Sequence, residues 1–116
     1  MEIEVNDYVR TEFGNIGKFY RPASESSDVY YIYINKDGNK ISSRYDSIVK
    51  HSNNIIDLIE VGDILRVFDN LSETEEKVNI FDDEILKAVK EDIKDNNYKI
   101  LSILTHERFS SLEYII

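Results

Sequence analysis

The sequence predicts a mainly β fold with a single helix (α+β), built as one small, strongly bent barrel. Three observations carry this. Short runs rich in β-branched and aromatic residues recur, "VYYIYI" at 29–34 being the clearest. Tight-turn signals separate them, Gly14-Asn15 and Asp37-Gly38 foremost. One segment alone, 81–97, repeats its apolar residues at helical spacing.

The chain of 116 residues has the size of a single domain and can bury about two thirds of its unfolded surface. An apolar fraction of 41% with 11% aromatics belongs to a folded chain rather than a disordered one. Without cysteine there is no disulfide framework, zinc–thiolate site or thiol nucleophile, which suits a reducing compartment. "MEIEVND" lacks the basic and apolar regions of a signal peptide. No apolar run reaches the about 20 residues that span a bilayer. The expectation is a soluble cytoplasmic protein.

The elements follow in order. "DYVRT", 7–11, alternates apolar and polar as a half-buried strand does, and "EFGN" then turns it into "IGKFYR". "PASESSD", 22–28, holds the only proline and reads as an exposed loop. After "VYYIYI", Asp37-Gly38 suits a type I′ turn into "KIS". In the less regular 45–63, Ile48, Val49, Ile55, Ile56, Leu58 and Ile59 are the expected core residues. "ILRVF" is a further strand, and "DNLSETEEK", 69–77, reads as an acidic loop or a fraying turn. Phe81, Ile85, Leu86, Val89 and Ile93 form one helical face, with Asp82 or Asp83 as N-cap. "YKILSIL" alternates again, "THERFSSL" suits one short turn, and "EYII" makes a last strand. Many short strands with a single turn ahead of the last one describe an SH3-like barrel over 1–116, carrying a loop–helix insertion at about 69–97.

A repeat punctuates this pattern. "IEVNDYVRT", 3–11, and "IEVGDILRV", 59–67, agree at five of nine positions. The Asn6/Gly62 position tolerates a left-handed backbone, and the Asp7/Asp63 side chain can bond nearby backbone. Two apolar residues then enter the barrel wall while Arg10 or Arg66 stays outside. The repeat reads as two strand-starting turns, not as a catalytic motif.

On "VNDYVRT", "IGK" and "IVKHSNNIIDLIEVGD", the chain resembles short uncharacterised proteins of phages and prophages of low-GC Gram-positive bacteria. The resemblance covers about two thirds of the chain, including "SILTHERFSSLEYII", and brings no catalytic residue with it. The chain departs from that pattern in the acidic "SETEEK" and the helical 82–97. "DYVRT" with "IGK" is also similar to the KOW-type hairpin of SH3-like domains that touch nucleic acids, which implies a nucleic-acid adaptor using Tyr31, Tyr33, Arg10 and Lys18.

Net charge is -9, from 14 basic and 23 acidic residues. Residues 1–50 hold seven basic and eight acidic groups, and residues 51–116 seven and fifteen. There is no cationic stripe for phosphate binding, so direct nucleic-acid binding is disfavoured and membranes are not a partner. A basic protein surface is the natural complement. Enzyme chemistry finds no foothold. There is no G-x-S-x-G elbow, P-loop or Rossmann glycine set, and Ser42, Ser43, Ser110 and Ser111 read as turn and cap residues. His51 and His106 would need carboxylates such as Glu107 or Asp57 to hold a metal, and they read as ordinary polar or capping histidines. No cofactor is implied.

Two sets of residues remain as partner-binding candidates. Tyr31 and Tyr33 share one strand face and can form an exposed aromatic ladder, or lie buried in a two-layer packing. Glu73, Glu75, Glu76, Asp82, Asp83, Glu84, Glu91, Asp92 and Asp95 fall in one loop–helix stretch that can imitate the charge rows of a nucleic acid. The expectation is a non-enzymatic phage protein-binding module, in its sharper form an acidic inhibitor of a host nuclease or CRISPR effector (anti-CRISPR-like). A KOW-like adaptor and a passive virus-assembly domain are the alternatives.

Overall fold

The computed structural model describes residues 2–26, 28–107 and 114–116. The chain divides into two compact units, 1–58 and 59–116. In the first, β1 (Tyr8–Thr11), β2 (Ile16–Pro22), β3 (Tyr30–Ile34), β4 (Lys40–Arg44) and β5 (Ile48–Ser52) form an antiparallel sheet in the order β4-β3-β2-β1-β5. One-turn 3-10 helices at Tyr45–Ser47 and Ile55–Leu58 flank β5. In the second, β6 (Ile64–Asp69), β7 (Thr74–Asn79), β8 (Tyr98–Leu104) and β9 (Tyr114–Ile115) form a sheet in the order β7-β6-β8-β9, and α1 (Asp83–Lys94) joins β7 to β8.

The mainly β architecture with one helix is as the sequence predicts; the closed barrel is not. The strands divide between two sheets, and neither closes on itself. The reason lies in β6. Both of its flanks are taken, by β7 and by β8, so the second copy of the repeated phrase opens a new sheet instead of extending the first. Of the segment expected as a loop or fraying turn at 69–77, the first part is a turn and the part from Thr74 onward becomes β7. A turn at Asp69–Glu73 sets it up, with Glu73 at φ 57° and the Asp69 carboxylate accepting from the Leu71 and Ser72 N–H groups.

The two copies of the phrase do build one device twice. Asn6 and Gly62 are left-handed, at φ 72° and 99°. Asp7 and Asp63 each accept from the N–H three residues back, Glu4 at 3.1 Å and Glu60 at 2.9 Å. A register shift then follows at the matching place, between Arg10 and Thr11 in β1 and between Arg66 and Val67 in β6. Such bulges sharpen strand twist and bend. The expectation that the arginines stay outside is overturned for Arg10, which is fully buried. Its guanidinium reaches the Leu58 carbonyl at 2.9 Å, so the buried charge closes off the end of a 3-10 helix. Arg66 is half-buried.

In the first unit Val9, Phe19, Tyr31, Tyr33 and Ile48 form the core, with Ile3, Ile41 and Tyr45 packed against it. Of the core residues expected in 45–63, Val49 alone is exposed, because strand alternation turns it away from the face of Ile48. Gly38, at φ 80°, is the left-handed residue of the β3–β4 turn and Asp37 is not, so the turn is not type I′. The Asn35 side chain holds that turn by accepting from the Asp37 and Asn39 N–H groups. In the second unit Asp82 is the N-cap of α1, accepting from the Ile85 N–H at 2.9 Å. Val89 is buried, and Ile85, Leu86 and Ile93 are half-buried beside it. Phe81 departs from that stripe: it precedes the cap and is 73% exposed. Ser110 and Ser111, and most of the turn expected in "THERFSSL", lie outside the described residues.

Candidate binding surfaces

The nine acidic candidates do not form one row. Glu73 sits in the β6–β7 turn. Glu75 and Glu76 are exposed on β7, and as neighbours in a strand they point to opposite faces, in register with Phe68 and Val67. Asp82 is occupied in capping, while Asp83 and Glu84 stand in the first helical turn, where the helix dipole favours them. Glu91 and Asp95 are exposed near the other end, and Asp92 is half-buried. Lys87, Lys90 and Lys94 interleave with the acids of α1.

Where carboxylates do converge is around Tyr98, at the start of β8. Its phenol is pushed up, first by burial and then by Glu76, Asp92 and Asp69. Two predicted residues, one from β7 and one from α1, thus act on one phenol that sequence reasoning did not single out. Asp69 completes the group. It ends "ILRVFD" and reads locally as a turn residue, and its carboxylate is held below the usual range mainly by the Leu71 N–H.

The tyrosine ladder is corrected. Tyr31 is fully buried and Tyr33 nearly so. Tyr31 lies 5.1 Å from the Tyr45 ring, 5.8 Å from Tyr33 and 5.9 Å from Phe19. Gly17 permits this, because a Cβ there would collide with the Tyr33 ring and stand 2.6 Å from the Ile34 carbonyl oxygen. Burial holds the Tyr31 phenol up at about 12. The hydroxyl makes no well-formed hydrogen bond among the described residues, and the nearby Ser43 and Ser47 hydroxyls pull the value down by less than burial raises it.

The opposite face is the exposed one. Tyr30 is 45% exposed, and Ile32 and Ile34 are half-buried beside it. Across the sheet Tyr8 pairs with Lys18, Lys18 with Ile34, and Ile34 with Lys40. Cations sit over its rings: Lys18 on Tyr8 at 5.4 Å, Lys40 on Tyr20 at 4.7 Å, Arg21 on Tyr20 at 5.9 Å and Arg44 on Tyr30 at 5.7 Å. Lys18 belongs to this face as the sequence suggested; buried Arg10 does not. A shallow cleft beside it is lined by Glu12, Phe13, Ser43, Arg44, Asp46 and Ser47. There Arg44 forks onto Asp46 with contacts of 3.1–3.3 Å, which lowers that carboxyl and raises the guanidinium. Ser42 and Ser43 are strand residues of β4, not turn or cap residues, and the Ser43 and Ser47 hydroxyls lie 3.2 Å apart.

Of the histidines, His51 is exposed on β5. His106 brings its Nε2 to 3.1 Å from Glu60 Oε1 and 3.3 Å from Glu107 Oε1. Asp57, the other carboxylate considered for a metal, accepts from the Ser52 hydroxyl at 2.6 Å.

The folded class is thus a small, mainly β protein of two antiparallel sheets with one helix. Among the described residues no helix is long and apolar enough to cross a membrane. Comparison with protein-family models, curated proteins and solved structures finds no match to this chain.

Proposed function

We propose that the chain is a non-enzymatic protein-binding module whose second unit recognises a basic protein surface. One observation carries this reading: the charges of Glu76, Asp92 and Asp69 act together on the phenol of half-buried Tyr98. Three carboxylates gathered about one phenol make a seat for a lysine or arginine, which gains ion pairing and charge-assisted hydrogen bonds there. Residues 59–116 carry fourteen acidic and seven basic groups, a field that speeds encounter with a cationic partner. In its sharper form the partner is a host nucleic-acid-handling enzyme, such as a nuclease or CRISPR effector, in keeping with the phage-protein resemblance. The lysines of α1 interrupt any phosphate-like row, so this form rests on the Tyr98 end rather than on the whole of 73–95. In the first unit, the one-turn helix ahead of β5 supports an SH3-like relationship, and modules of that kind commonly serve as adaptors.

The test is affinity capture from a low-GC Gram-positive lysate, followed by binding measurements on the captured protein. A Glu76→Lys/Asp92→Lys variant should lose at least about tenfold in affinity and flatten the salt dependence. An Asp83→Lys/Glu84→Lys variant should change little. A complex indifferent to both pairs refutes the reading.

A second reading has its own observation. The cation-bearing aromatic face of Tyr8, Tyr20 and Tyr30 has the ingredients of a stacking platform for single strands. Fluorescence anisotropy with labelled RNA and DNA at low salt checks it, and no binding at micromolar protein ends it.

A further inference from the structure

We propose that Glu60, His106 and Glu107 form a binding site for a divalent first-row transition metal of the zinc type, independent of the surfaces above. The three donor atoms lie within 4.8 Å of one another. Both carboxylates address the same nitrogen, Nε2 of His106, at 3.1 and 3.3 Å. The imidazole nitrogen and the two carboxylate oxygens thus converge on one point, as the donors of a metal site do. Two ligand atoms bound to one tetrahedral zinc at about 2.0–2.1 Å stand roughly 3.3–3.4 Å apart. The two separations from His106 Nε2 already approach that value, and the two carboxylate oxygens, within 4.8 Å of each other, close onto an ion by side-chain rotation. A neutral imidazole and two carboxylates sum to the charge a divalent cation neutralises. The nitrogen donor selects a transition ion over magnesium or calcium, which prefer oxygen alone.

The site is built rather than fortuitous. Asp63, fully buried, accepts the Glu60 N–H through Oδ2 at 2.9 Å and the His106 N–H through Oδ1 at 3.1 Å. One carboxylate therefore fixes the backbone beneath two of the ligands, although 46 positions separate them in sequence. Gly62 keeps the space in which the His106 side chain lies, since a Cβ there would stand 3.0 Å from His106 Cβ and 3.2 Å from Cγ. The first copy of the repeat supplies Glu4, Asn6 and Asp7 at the matching positions, but it belongs to no such cluster among the described residues. The site is a specialisation of the second copy. Three protein donors leave at least one position open for water or for a side chain of a bound partner.

Zinc titration of the full chain by calorimetry and by amide NMR tests this. One zinc per chain should bind, with the largest shifts at Glu60, His106 and Glu107, while millimolar magnesium neither binds there nor competes. His106→Gln, which keeps the bulk of the side chain, should weaken binding at least about tenfold, and Glu107→Gln likewise. His51→Ala should leave it unchanged. If His106→Gln fails to fold, as judged by its amide spectrum, Glu107→Gln decides alone. Zinc affinity that is undetectable at 100-fold excess over the chain, or that survives loss of the tested ligand, overturns the proposal.

Discussion

Arg10 and Leu58 are joined by a 2.9 Å hydrogen bond from guanidinium Nη1 to backbone carbonyl oxygen, with 48 positions of chain between them. The contact ties β1 to the 3-10 helix at the end of the first unit. Arg10→Ala removes a fully buried side chain and leaves that carbonyl without its charged donor. The expected cost is about 3 kcal/mol, read from urea unfolding followed by tyrosine fluorescence.

Gly17 and Gly38 should respond to alanine in different degrees. At Gly17 the added methyl meets the Tyr33 ring and the Ile34 carbonyl, so Gly17→Ala should cost about 2–3 kcal/mol. At Gly38 nothing lies within 4 Å, and only the positive φ of 80° resists, for about 1 kcal/mol. Thermal unfolding of the two variants measures the difference.

Exchange of residues between the two copies of the repeat should be asymmetric. Asn6→Gly places the more permissive residue at φ 72° and should leave stability within about 0.5 kcal/mol. Gly62→Asn brings a Cβ against His106 at φ 99° and should cost about 2 kcal/mol. Denaturant midpoints decide.

Alkaline unfolding should carry the signature of Tyr31. Its phenol ionises at 10.0 when exposed and at about 12 in the folded chain, so the unfolded state loses its proton first. The contribution is fully present below pH 10 and is lost as pH rises from 10 towards 12, amounting to about 2–3 kcal/mol. Tyr31→Phe should flatten this slope. It should cost less than about 1 kcal/mol at neutral pH, because the hydroxyl it removes makes no well-formed hydrogen bond among the described residues. Unfolding free energies at several pH values give the comparison.

Asp82→Ala should cost about 1 kcal/mol and speed amide exchange in the first turn of α1, because the Ile85 N–H loses its acceptor. Asp83→Ala, one position inside the cap, should cost less.

Local signals were legible in the sequence, and parity and distance were not. The helix, its cap and the left-handed residues at 6 and 62 follow from spacing and residue type alone. "VYYIYI" gives no such guidance about its faces, since tyrosine and isoleucine suit core and surface alike. What decides is Gly17 on the neighbouring strand, which admits the Tyr33 ring, together with Phe19 and Tyr45 around Tyr31. Arg10 misleads for a related reason: a charged residue in an alternating strand reads as outward until its acceptor, far along the chain, is known. The meeting of Glu60 with His106 has no local signature either. The acidic stretch hid a strand because "TEEKVN" has little apolar content, and its pairing with β6 supplies what composition withholds.

Among the described residues β7 lies at the margin of its sheet, where Glu75 and Glu76 can act as guards. An unpaired strand border invites a neighbouring molecule to add itself, and side-chain repulsion is a common safeguard. Neutralising Glu75 and Glu76 together would expose a bare ladder rung, and concentrated solutions of such a variant would tend towards self-assembly.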